Sequence, residues 1–195
     1  MSGLSRYASM PRPVKYIFLL TNFSAVALFI FHLFAIPIAG RVMSGTMYYY
    51  LLFALLGFNV FMGLAAVRRQ RGGPRWFDYA LAVVLVSCMA YFLFNSEAIG
   101  ARLWDSKPDP YQLFLAVVVC LISLEAGRRI GGWSYVIVVT VCGLYPLFAD
   151  RMPGIFFGFP ISFPKIMGDF AYGANGLLGL PGHILGDLIL GYYVF

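Results

Sequence analysis

The chain has 195 residues, of which 61% are hydrophobic and only 11% are charged. A soluble domain carries about 25% charged residues, so most of this chain cannot face water. The net charge of +6 sits in short basic clusters between apolar runs, which argues against a nucleic-acid patch and fits loops beside anionic lipid.

The first 15 residues read as a cytoplasmic tail carrying Arg6, Arg12 and Lys15. The apolar run that follows is longer than the core of a cleavable signal. It predicts a first membrane span over Ile17–Ile36, ended by Pro37 and Gly40 with Arg41 at the interface. A second span is expected over Tyr49–Val67. The Tyr48-Tyr49-Tyr50 cluster precedes it, and Arg68, Arg69 and Arg71 stop it. Tyr79–Ser96 reads as the third span, opened by Trp76. Tyr111–Leu124 reads as a short fourth and Ile130–Ala149 as a fifth, with Trp133 near its start and Pro146 near its end. Trp and Tyr at such ends fit an aromatic belt. These readings divide the chain into a tail (1–15), a four-helix membrane domain (16–129), a connecting span (130–149) and a Gly/Pro-rich extracytoplasmic segment leading into a further region (150–195). Within that last part a short interfacial helix is expected at about 165–172, with Ser162 as cap and Pro164 in its first turn. The apolar run after Pro181 contains Asp187 and reaches Phe195 without a polar flank, and reads as the start of a sixth span. The fold class predicted is therefore an all-α integral membrane protein with five membrane-spanning helices plus the start of a sixth.

Counting Lys and Arg on alternate sides puts nine of the 14 with the N-terminus and five opposite. By the positive-inside rule the N-terminus is cytoplasmic. The expected location is a bacterial inner membrane.

No hydrolase, kinase or phosphate-loop motif occurs, and no catalytic residue is expected. The cysteines Cys88, Cys120 and Cys142 lie inside apolar runs without a CxxC or Cys/His cluster. They predict apolar fillers, with no disulfide framework, metal site or cofactor. Polar residues at membrane depth are functional candidates by default. His32 suits either a neutral imidazole bonded to a neighbouring helix or a proton relay. Asn59, central in the second span, suits an interhelical hydrogen bond. Asp78 and Glu97 are expected at solvated helix ends. His183 and Asp187, four apart, share one helical face. They read either as a proton-handling or cation-coordinating pair, or as an interfacial His beside an internally bonded Asp. Glu125 has Arg128 and Arg129 at i+3 and i+4, and the cluster reads as a surface anchor or a docking point for another helix.

From Glu125 onward the run EAGRRIGGW, then LYPLFADRMPG, then YGANGLLGLPG resembles the TAXI branch of the TRAP transporters, whose small and large membrane components are usually fused. The resemblance covers Glu125 to about Gly182. It implies a small-subunit-like part, a connecting helix that begins near Trp133, and a large-subunit-like start marked by Gly179 and Pro181. It also implies a scaffold role in a tripartite secondary transporter that imports organic acids on an ion gradient. The partners implied are the large membrane subunit or the remainder of a fused chain, a periplasmic substrate-binding protein, and the bilayer. Substrate and coupling ion in that family sit in the large subunit. The alternative is a non-transport polytopic protein such as an assembly factor or sensor.

Overall fold

A computed structural model describes residues 7, 9–36, 43–66, 73–173, 176–177, 179–189 and 191–192. The elements are helical, with no strand among the described residues. In chain order they are α1 (Arg12–Leu33), α2 (Gly45–Gly63), α3 (Trp76–Phe94), α4 (Ser96–Ala101), α5 (Pro110–Leu144), α6 (Phe163–Tyr172) and α7 (Leu180–His183). A π-helical turn, Ile184–Ile189, continues α7. Three helices, α1, α2 and α3, are long and apolar enough to cross a membrane.

The chain forms two compact units, one holding residues up to 98 together with those from 180, the other holding 99–179. In the first unit the helix starts follow local chemistry. Pro13 opens α1, where a missing N–H costs nothing. Ser44 caps α2 by accepting from the Met47 N–H at 3.3 Å. The Asp78 carboxylate accepts from the Arg75 N–H at 2.9 Å and closes the first turn of α3. Asp78 is also fully buried, which corrects the expectation of a solvated end; Glu97 is exposed as expected.

Helices α1 and α2 run antiparallel. Thr21 meets Asn59 near one end, and His32 meets Tyr48 near the other. Helices α2 and α3 are antiparallel too, since Gly57 faces Leu85 and Tyr50 faces Phe92. A Cβ on Gly57 would lie 2.2 Å from Leu85 Cδ2, so glycine sets the close approach of these helices. The outer face of α1 carries Tyr16, Leu20 and Phe23, all largely exposed. That is the surface a lipid-facing helix requires.

The tyrosine cluster lies inside α2 rather than before it, and Tyr48, Tyr49 and Tyr50 are all buried. Their placement corrects the belt reading for these three. Trp76 and Trp133 remain exposed, as a belt requires. The stop signals Pro37, Gly40, Arg41, Arg68, Arg69 and Arg71 lie outside the described residues.

The second unit is built on α5. Pro110 occupies its first turn, and the Gln112 side chain accepts from the Asp109 N–H at 2.8 Å. The helix is broken at Gly132, whose φ of 76° and ψ of −168° are non-helical. The chain turns back there. Residues 127 and 135 would be about 12 Å apart along a straight helix at 1.5 Å per residue, yet a Cβ on Gly127 would lie 2.1 Å from Tyr135 Cε1. The result is a helical hairpin with arms 110–131 and 133–144. The fourth expected span thus runs seven residues past Leu124, and no loop separates it from the fifth. Two 3₁₀ turns, Tyr145–Leu147 and Ala149–Arg151, follow the second arm. Helix α6 forms where expected, with Ser162 at its N-cap and Pro164 in its first turn, although Ser162 makes no side-chain capping bond. Tyr172 of α6 donates to the Gln112 carbonyl at 2.9 Å and ties α6 to α5.

A tyrosine, histidine and aspartate cluster as candidate functional site

The first unit brings together a tyrosine, a histidine and an aspartate. Tyr49 is buried in α2, and its hydroxyl lies 2.6 Å from His183 Nδ1 and 2.8 Å from Asp187 Oδ2. His183 Nδ1 is itself 3.0 Å from Asp187 Oδ2. One turn of helix brings His183 and Asp187 onto one face, as their spacing predicted. One assignment of hydrogens satisfies all three contacts. Tyr49 has one hydroxyl hydrogen, which goes to the carboxylate. The short contact with His183 then needs a hydrogen on Nδ1, donated towards the tyrosine oxygen and the carboxylate.

Two neighbours frame this triad. Tyr48 donates to the Gly186 carbonyl at 2.8 Å, pinning the π-helical turn to α2. Such turns interrupt the regular ladder and free carbonyls for bonds of this kind. A Cβ on Gly186 would sit 3.0 Å from Tyr49 Cε1, so glycine permits the contact. His32 stacks on Tyr48 with ring centroids 4.0 Å apart and 7° between planes, and it lies 6.4 Å from Tyr49. His32 thus makes ring contacts where a hydrogen bond was one expectation. His32, His183 and Asp187 are brought to one place, which their sequence separation did not indicate.

Asn59 stands apart from this cluster. Its amide lies 2.7 Å from Thr21 Oγ1, and Thr21 also lies 2.9 Å from the Phe18 carbonyl. Thr21 has one hydrogen. Given to Asn59 Oδ1 rather than to the Phe18 carbonyl, that hydrogen makes the interhelical bond, and Asn59 Nδ2 stays buried without a hydrogen-bond partner among the described residues. The expected interhelical bond is present.

In the second unit Glu125 receives two bonds from Arg128, at 2.6 and 2.8 Å, and one from Arg129 at 2.9 Å. Arg128 also lies over the Trp133 ring at 5.5 Å. The Arg128 bonds, seconded by Arg129, give the half-buried Glu125 carboxylate three charge-assisted bonds. Arg128→Ala is expected to cost only about 1 kcal/mol, because Arg129 keeps one bond to the carboxylate. Thermal unfolding in detergent measures this; a loss several times larger would mean Arg128 has a structural role beyond this clasp.

Gly179 is buried and donates to the Gly176 carbonyl at 3.1 Å. Pro181 falls within α7, but its side chain lies outside the described residues. The second unit also holds an apolar cleft of about 280 Å³, lined by Val117, Cys120 and Leu124 of one arm, Tyr135 and Val139 of the other, and Phe170. No group of three or more His, Cys, Asp or Glu suited to a metal occurs among the described residues. Sequence reasoning missed Tyr48 and Tyr49. The available signal was that a tyrosine hydroxyl inside an apolar helix must find a partner. No protein-family model, curated protein or solved structure matches this chain.

Proposed function

We propose that this chain is the membrane scaffold of a tripartite secondary transporter that imports organic acids with a periplasmic binding protein. On this reading it crosses the inner membrane five times from a cytoplasmic N-terminus, and a sixth span begins after Pro181. One observation carries the scaffold role. The segment from Leu180, where the large-subunit-like region would start, is held on α2 by Tyr48 and Tyr49 through two hydroxyl bonds. The small bundle α1–α3 then serves as the seat for that region, either as a continuation of this chain or as a separate subunit docking through it. The motif order from Glu125 to Gly182 supports the family, and the excess of basic residues on alternate loops supports the orientation.

The test combines uptake with recovery of the complex. Proteoliposomes containing this chain and a binding protein alone should accumulate no organic acid. Adding the large subunit should restore uptake. Tyr48→Phe with Tyr49→Phe should lower recovery of the large-subunit-like region with α1–α3, while membrane insertion persists. Uptake by the chain with only a binding protein present, or wild-type recovery of the double variant, would remove the scaffold assignment.

A further inference from the structure

The loop between the α5 hairpin and α6 has an unusual chemistry. No residue from Met152 to Pro164 is charged, and the stretch reads MPGIFFGFPISFP. Its large apolar side chains point outward: Ile155 is 94% exposed, Phe159 91%, Phe157 63% and Phe156 60%. In water such a contiguous apolar patch is unfavourable. The loop is nevertheless held in shape. The Phe157 N–H donates to Gly154, Gly158 to Ala149 and Ile161 to Pro146, all at 3.0–3.1 Å. The Tyr145 hydroxyl donates to the Phe156 carbonyl. Pro153, Pro160 and Pro164 remove three further backbone donors. Exposed charges stand only at its edges, Asp150 and Arg151 before it and Lys165 after it.

We propose that this loop is a membrane-interface anchor, with Ile155, Phe156, Phe157 and Phe159 embedded at the headgroup boundary of the extracytoplasmic leaflet and Arg151 and Lys165 set against lipid phosphate. The inference rests on the five-span reading, which brings the end of the second hairpin arm to that surface. Lipid suits the loop better than a protein. A protein interface of this size needs a polar rim and about one hydrogen bond per 100–200 Å², and Ser162 is the sole polar side chain between Met152 and Pro164. The acyl–headgroup boundary asks for apolar surface, aromatic rings and flanking cations.

Spin labels test the anchor in the full chain, reconstituted in vesicles of phosphatidylcholine and phosphatidylglycerol. In a Cys142→Ala parent that itself takes up no label, Ile155→Cys and Phe23→Cys are labelled singly. Both positions are exposed, so the fold tolerates the change. Collision with oxygen reports lipid and collision with a nickel chelate reports water. The label at 23 should lie deep, and the label at 155 should fall between it and free label in buffer. A label at 155 as open to nickel as free label would overturn the anchor while the membrane reading stands. Shielding from both reagents would overturn it too, in favour of a protein contact. A water-exposed label at 23 would remove the membrane premise and the anchor together.

Discussion

Gly132→Val should disrupt the second unit more than any other single change in the hairpin. Position 132 combines a φ of 76° with a ψ of −168°, a region open essentially to glycine alone. A β-branched residue there costs about 1–3 kcal/mol in backbone strain. Relief of that strain requires the turn itself to open, and the consequences extend along the arms. Tyr135 packs against Gly127 and Gly131 only while the chain reverses, and the cleft between Val117 and Val139 exists only between folded-back arms. Gly143→Ala is the matched control. An added methyl at Gly143 meets nothing within 4 Å, and alanine in a helix is favoured over glycine by about 0.5–1 kcal/mol. The valine variant should therefore lower the thermal midpoint clearly, while the alanine variant leaves it unchanged or slightly raised. Equal midpoints for Gly132→Val and wild type would show that the reversal does not depend on glycine.

The same residue shows where local reading of the sequence stops working. Hydropathy located α1, α2 and α3 because a span is a property of about 20 consecutive residues. It placed the end of the fourth span at Leu124 because charge appears at Glu125. The helix continues, however, and its continuation lets Glu125 reach Arg128 and Arg129 at i+3 and i+4. The expected ion cluster was itself a sign that no loop begins there. The reversal at Gly132 leaves almost no hydropathy trace, since Ile130, Trp133 and Tyr135 are apolar on both sides of it. Asp78 was misplaced for a related reason: a carboxylate that closes its own helix turn can be buried at the helix end. The tyrosine cluster depended on partners 134–138 residues away. Pairing of that kind is invisible to periodicity. The spacing of His183 and Asp187 gave one half of the site, and only the folded chain supplied Tyr49.

Removal of the Asp187 carboxylate should partly release the segment that follows α7 from α2. Asp187 accepts from the Tyr49 hydroxyl and from His183 Nδ1–H, so Asp187→Leu takes the carboxylate acceptor from the Tyr49 hydroxyl, while His183 Nδ1–H keeps the tyrosine oxygen at 2.6 Å. Tyr49 is buried, and an unsatisfied buried donor costs about 1–3 kcal/mol. Asp187→Asn should be milder, because its amide oxygen still accepts from Tyr49 while the charge assistance is lost. Tyr49→Phe removes the stranded hydroxyl donor. Combined with Asp187→Leu, it should therefore cost less than the two single losses added together. Such a cycle isolates the pair, provided each variant inserts normally. The readouts are thermal unfolding and amide hydrogen exchange over residues 180–189, where opening should rise in Asp187→Leu and fall back towards wild type in the double variant. The Tyr48–Gly186 bond should persist in all three, which keeps the π-helical turn attached at one point and limits the change to partial release. Strict additivity of the two substitutions would show that Tyr49 and Asp187 act independently, and the seat on α2 would then rest on Tyr48 alone.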